Sequence, residues 1–208
     1  MTVRQASTAT TVDARVVELW VLPATLTGHQ AERAWEVLSE AERAHARRMA
    51  PGASRDRWVA RCFAVRRVLA AHLGVDEAEV ALLHNAEGRL CVAAANGAHV
   101  GVTSTHQRVV VALGEAQVGV DAEPLSAGRP EMTRRWTARG AMNKAARLDA
   151  GTDLDVYVDW RGGTPRVRNS GVDGAAQWSV TSMVVEDDTV VSVAARVPDA
   201  QWRVLSVA

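Results

Sequence analysis

A chain of 208 residues, 48% of them apolar, can bury one substantial core or two halves sharing one, and this composition excludes a disordered or fibrous protein. Its 24 acidic and 24 basic residues cancel, and the bases are 23 arginines and one lysine, Lys144. With no positive excess to cluster on one face, a nucleic-acid partner is not expected. Cys62 and Cys91 stand in no CxxC or Cys/His spacing, so neither a disulfide framework nor a zinc module is expected, and both read as buried free thiols. No apolar run reaches the roughly 18 residues of a membrane span, and the first fifteen residues lack a signal-peptide core, so a cytoplasmic protein with no membrane contact is expected.

In chain order, Val16 to Leu22 reads as a strand stopped by Pro23, followed by one amphipathic helix from Ala31 to Met49 with Trp35 and Leu38 on its buried face. Ser54 is the expected N-cap of a second helix, in which Trp58, Cys62, Val65, Leu69 and Leu73 recur at helical spacing until Gly74 supplies a left-handed C-terminal residue. Asp76 to Glu79 reads as a capped turn. The pattern then switches to short apolar strands at Val80–Leu83, Leu90–Ala94, His99–Ser104, Val109–Leu113 and Gln117–Ala122, separated by turn chemistry. A helix is expected from Glu131 to Leu148, weakened by about 1 kcal/mol at Gly140. Strands return at Leu154–Val158, Arg166–Arg168, Trp178–Val185, Thr189–Arg196 and Trp202–Val207. The order implies an α+β protein of two similar halves, residues 1–118 and 119–208. Most of the seven tryptophans read as packing residues.

The segment VGVDAEPL, Val118 to Leu125, places Asp121 and Glu123 two apart at the end of an apolar strand, so that both carboxylates face the same side. A pair of this kind can begin a magnesium site completed by water and substrate phosphate; taken alone, an Asp-x-Glu at a strand end is more often a solvated rim.

Taken with LSEAERAHARR (Leu38–Arg48), the arginine-rich second helix, Gly88-Arg89, Thr105-His106 and Trp136-Thr137 followed by Lys144-Ala145, this segment resembles, in sequence and order, the 4′-phosphopantetheinyl transferases of the surfactin-synthetase type. Members of that family move the phosphopantetheine arm of coenzyme A onto a serine of an apo carrier protein. The resemblance implies two pseudo-symmetric α/β halves with the site between them, and a magnesium ion held by Asp121, Glu123 and the glutamate of a W-x-x-K-E-A motif. It also implies a coenzyme held by Arg57, Arg89, Thr105 and His106. Guanidinium groups suit phosphate because their fork matches two of its oxygens.

The chain departs from the family where the chemistry lies. W-x-x-K-E-A reads Trp136-Thr137-Ala138-Arg139-Gly140-Ala141, so the metal-binding and proton-accepting glutamate is a glycine; losing a positioned base lowers a rate by about 10² to 10⁴. Only Ser126 to Arg135 stand between Leu125 and Trp136, where relatives carry a longer helical segment that docks the carrier protein. Two basic coenzyme-binding positions of the first helix are Glu42 and His45, and an acid beside a pyrophosphate repels it. S-H-S is altered to Thr105-His106-Gln107, and the proline of G-K-P is Leu90.

Three readings follow. The favoured one is an enzyme of polyketide or nonribosomal peptide biosynthesis that has left carrier modification for a small-molecule reaction such as cyclisation or dehydration. Asp121, Glu123, His106 and Arg139 are its catalytic candidates, and Trp136, Gly140 and Lys144 line a cleft that the missing side chain enlarges. The second is an active magnesium- and coenzyme A-dependent transferase. The third is a non-catalytic binding protein.

Overall fold

In the computed structural model, residues 14–84, 90–92, 98–125, 129–146, 157–159, 166–168, 177–186 and 188–206 are described. Strand β1 (Val16–Pro23) leads into helices α1 (His29–Val37), α2 (Glu40–Arg48) and α3 (Ala53–Leu73). A 3₁₀ turn (Glu77–Glu79) precedes β2 (Leu82–His84), β3 (Leu90–Val92), β4 (His99–Ser104), β5 (Arg108–Gly114) and β6 (Val118–Pro124). Helix α4 (Pro130–Ala145) is followed by β7 (Tyr157–Asp159), β8 (Arg166–Arg168), β9 (Ser179–Val185), β10 (Thr189–Ala195) and β11 (Gln201–Ser206). The α+β expectation holds.

Two local expectations are corrected. The single helix from Ala31 to Met49 is two, because Ser39 caps a new one: its hydroxyl accepts from the Glu42 N–H at 3.3 Å, and the Glu42 carboxylate accepts from the Ser39 N–H at 2.7 Å. Ser54 is not the N-cap of α3, which starts a residue earlier after Gly52, whose φ of 135° suits glycine. Gly74 does end α3 in the left-handed conformation, as its sequence position implies.

The main sheets have the orders β11-β1-β5-β4 and β6-β10-β9, and two short hairpins, β2-β3 and β7-β8, stand apart from them. Strand alternation sorts the side chains into layers. Val17, Leu19, Val21, Val110 and Ala112 of the first sheet meet Val118, Val120, Ala122, Val191 and Val193 of the second in one buried cluster. The other face of the first sheet, with Val109, Val111 and Leu113, is covered by Val65, Val68 and Leu69 of α3. The other face of the second is covered by Ala138, Ala141, Met142 and Ala145 of α4. The result is helix, sheet, sheet, helix. Helix α3 is buried on several sides between Val59 and Ala70, because its far side packs against α1 and α2 through Val59, Cys62 and Phe63.

Close backbone approach locks β6 in place. A Cβ on Gly119 would lie 2.9 Å from Cα of Ala145 in α4, and one on Gly101 would lie 3.2 Å from Cα of Gly119. Strand β4 and helix α4 thus meet β6 at the same level. The expected division at 118/119 falls on the first residue of β6, and β11 returns from the end of the chain to pair in parallel with β1.

Candidate functional site

Asp121 sits in the middle of β6, opposite Ser192 of β10 and on the face turned to α4. Gly119, two residues earlier on the same face, permits α4 to lie almost on the strand. This closeness fixes the surroundings of the carboxylate. A Cβ built on Gly140 would come 2.7 Å from Cγ of Asp121 and nearer still to Oδ2. The absent side chain therefore leaves no enlarged cleft: the Asp121 carboxylate fills that space.

One turn further along α4, Nζ of Lys144 donates to Oδ1 of Asp121 at 2.6 Å and to Oγ1 of Thr103 at 3.3 Å, while the Thr103 hydroxyl also lies 3.5 Å from Oδ1. Three elements, β4, β6 and α4, thus contribute one residue each to a connected triad. The Asp121 side chain is 13% exposed and that of Lys144 45% exposed, so the acid is sunk and the ammonium faces solvent. An ammonium has three N–H donors. Two are engaged by described residues.

Behind this triad runs a chain of hydroxyls. Thr137 and Ser192 are fully buried, 2.6 Å apart, and Ser182 lies 2.5 Å from Ser192. Thr137 donates to the Thr133 carbonyl oxygen at 3.0 Å, so Ser192 donates to Thr137 and Ser182 donates to Ser192. These bonds satisfy polar groups beneath α4 and pin the helix over the sheet.

The remaining sequence candidates are spread more widely. Glu123 is half-buried two residues beyond Asp121 on β6. Thr105 and His106 form the turn after β4, where the Thr105 hydroxyl accepts from the Gln107 and Arg108 N–H groups and His106 is exposed. Arg139, beside Gly140 on α4, is itself engaged by a partner. Trp136 is 65% exposed on α4, one turn from Met132 at 55%. Arg57 lies in the first turns of α3, in the opposite outer layer, and donates to Ser54. Arg89 lies outside the described residues. So do Trp160 and the side chain of Cys91.

Glu42 and His45 do not oppose a ligand. Glu42 is buried, with Oε2 2.6 Å from Nη2 of Arg66, and Arg66 also donates to the carbonyls of Glu77 and Val80. The imidazole of His45 stacks on Trp58 with centroids 4.7 Å apart. The expected acid beside a pyrophosphate is instead half of a buried ion pair. Cys62, packed near it, is held protonated by burial, with its pKa pushed up to about 12.

Sequence reasoning missed Thr103, Ser192 and Arg66. Only the alternation of β4 hinted at Thr103. It also missed a cavity of about 540 Å³ between β1, α3 and the 3₁₀ turn, lined by Trp20, Leu22 and Val68, with Arg33 and Arg67 at its polar edge. Both arginines are paired with acids there, Arg33 with Asp76 and Glu77 and Arg67 with Glu77.

The magnesium implied by the resemblance does not fit this arrangement. Magnesium needs near-octahedral oxygen donors at about 2.1 Å. Oδ1 of Asp121 accepts from an ammonium, Oδ2 lies against the helix at Gly140, and no group of three or more His, Cys, Asp or Glu side chains among the described residues is placed to hold a metal. A divalent ion at Asp121 would also be repelled by Lys144. Also among the described residues, no helix is long and apolar enough to cross a membrane. The chain matches no protein-family model and no curated protein.

Proposed function

We propose that this chain is a phosphopantetheinyl-transferase-like enzyme of polyketide or nonribosomal peptide biosynthesis, diverged from carrier modification to a small-molecule reaction such as cyclisation or dehydration. The observation that carries the proposal is the Asp121–Lys144 pair over Gly140. At the position where the family motif supplies a proton-accepting glutamate, this chain has no side chain, and the neighbouring strand carboxylate lies against the helix with a lysine partner. The family motif's own proton acceptor for a carrier-protein serine is therefore missing.

What the arrangement can supply is proton transfer and charge stabilisation on a small ligand. The Lys144 ammonium donates to an oxygen that gains negative charge, such as a carbonyl becoming an enolate, and the half-buried Glu123 is the nearby group able to accept a proton. Ring closure by intramolecular addition conserves every atom of the ligand, and dehydration releases one water. Both need an acid and a base, and neither needs coenzyme A.

The pseudo-symmetric halves belong to the same reading. Apart from β11 at the edge of the first, each main sheet is ordered first strand, third strand, second strand, as β1-β5-β4 and β6-β10-β9. In each, a helix packs on the outer face, and a short hairpin lies between that helix and the second strand. This repeated order supports a duplicated unit, with β4 and β6 meeting at the seam beside Asp121.

The test is deletion of the gene in the producing organism. The carrier proteins are then measured by intact mass and the metabolites by mass and ring count. Carrier proteins that stay phosphopantetheinylated while an uncyclised or hydrated intermediate accumulates, together with conversion of that intermediate by purified wild type and not by Asp121→Ala, are the expected results. Carrier proteins that revert to the apo form, and are modified by the purified protein with coenzyme A and magnesium, would establish the transferase instead. An unchanged metabolite profile would favour a non-catalytic binding protein.

A further inference from the structure

We infer that the Lys144 ammonium is a resident counter-ion that occupies the place of a divalent cation, so that this site holds its ligand without metal and removal of that one side chain opens it to metal. Three observations converge on this. The chain contains a single lysine among 24 basic residues, and that lysine is the residue placed 2.6 Å from a carboxylate only 13% exposed. Gly140 lets the Asp121 carboxylate lie flat against α4, within reach of the side chain one turn on. Thr103 then bridges acid and ammonium from β4, fixing the pair at the level where three elements meet.

A lysine suits this position better than one of the many arginines. Its ammonium is a compact point charge on a flexible stem, close in size and charge distribution to a small hydrated cation, whereas a guanidinium is planar and presents its donors as a fork. An ammonium at this place suits a ligand carrying an anionic or strongly polarised oxygen, a carboxylate or an enolisable carbonyl. The ammonium also excludes a second cation: two positive charges within a few ångströms repel at any local dielectric.

The inference does not depend on which reaction the chain performs, so its test is binding of manganese alone to the resting protein. Free manganese gives a six-line paramagnetic resonance spectrum that is lost on coordination. Wild type should leave that spectrum unchanged. Lys144→Met, which keeps the stem and removes the charge, should take up one equivalent with an affinity at least about tenfold above wild type. The uptake should vanish again in the double variant Asp121→Asn with Lys144→Met. Lys144→Gln serves as a second neutral replacement, and circular dichroism confirms that each variant is folded. Uptake of one equivalent by wild type that Asp121→Asn abolishes would overturn the inference, as would failure of both folded Lys144 variants to gain any site.

Discussion

Gly140→Ala tests the geometry of the site through stability alone. In an ordinary helix interior the change stabilises by about 1 kcal/mol, because alanine loses less backbone entropy than glycine. Here the new Cβ would lie 2.7 Å from Cγ of Asp121, and the carboxylate must swing away. That movement breaks the bond to Lys144, which counts for about 1 kcal/mol because the ammonium is 45% exposed and screened. It also leaves a carboxylate that is only 13% exposed without its donor, at about 1–3 kcal/mol. The net expectation is destabilisation by about 2 kcal/mol, seen as a fall in Tm of roughly 4–8 °C for a chain of this size. In an Asp121→Ala background the obstacle is gone, so the same change should stabilise by about 1 kcal/mol. Thermal melts of the four proteins form a double-mutant cycle whose coupling energy is about 3 kcal/mol. A Gly140→Ala effect of the same sign in both backgrounds would refute the placement of the carboxylate.

Other expectations follow from the buried polar groups. Glu42→Gln removes the charge facing Arg66 and should cost about 3–5 kcal/mol in urea unfolding, whereas exposed Glu40→Gln should change the midpoint little. Ser192→Ala interrupts the hydroxyl chain and leaves Thr137 one donor short, with an expected loss of about 1–3 kcal/mol by the same measurement. In a Cys91→Ser background, Cys62 should not react with a disulfide reagent at pH 8 until denaturant is added. Since burial pushes its folded pKa from the ordinary thiol value up to about 12, the stability carried by its protonated form is intact below that ordinary value and declines as pH rises toward 12. Rapid labelling of Cys62 in the native protein would contradict its burial.

Much of the fold was legible because it depends on local pattern. Short apolar runs between turn residues located β4, β5 and β6, and the spacing of Trp58, Cys62, Val65 and Leu69 with Gly74 beyond them located α3. The break between α1 and α2 was also legible in principle, since Ser39 and Glu42 spell a capping box, but the continuous run of helix formers across it masked the signal. The inward turn of Glu42 was not legible: α2, EAERAHARR, is so polar that no periodicity marks its buried face, and only the approach of Arg66 from α3 defines one. The same holds at the site. Asp121 stood out from its strand position and Lys144 from being the single lysine, yet their union needs β6 and α4 to come within a backbone's width at Gly119. That distance is set by packing across the second sheet, and no local spacing encodes it. The pairing of β11 with β1 is hidden for the same reason.

The central claim is that Asp121 is neutralised by Lys144 rather than by a metal ion. The most direct measurement is anomalous diffraction from crystals of the wild-type protein soaked with manganese and coenzyme A. The expected result is an Asp121 carboxylate in contact with Nζ of Lys144 near 2.6 Å, with no anomalous peak between Asp121 and Glu123. A manganese peak bridging those two carboxylates, with Lys144 displaced onto a phosphate of the coenzyme, would contradict it.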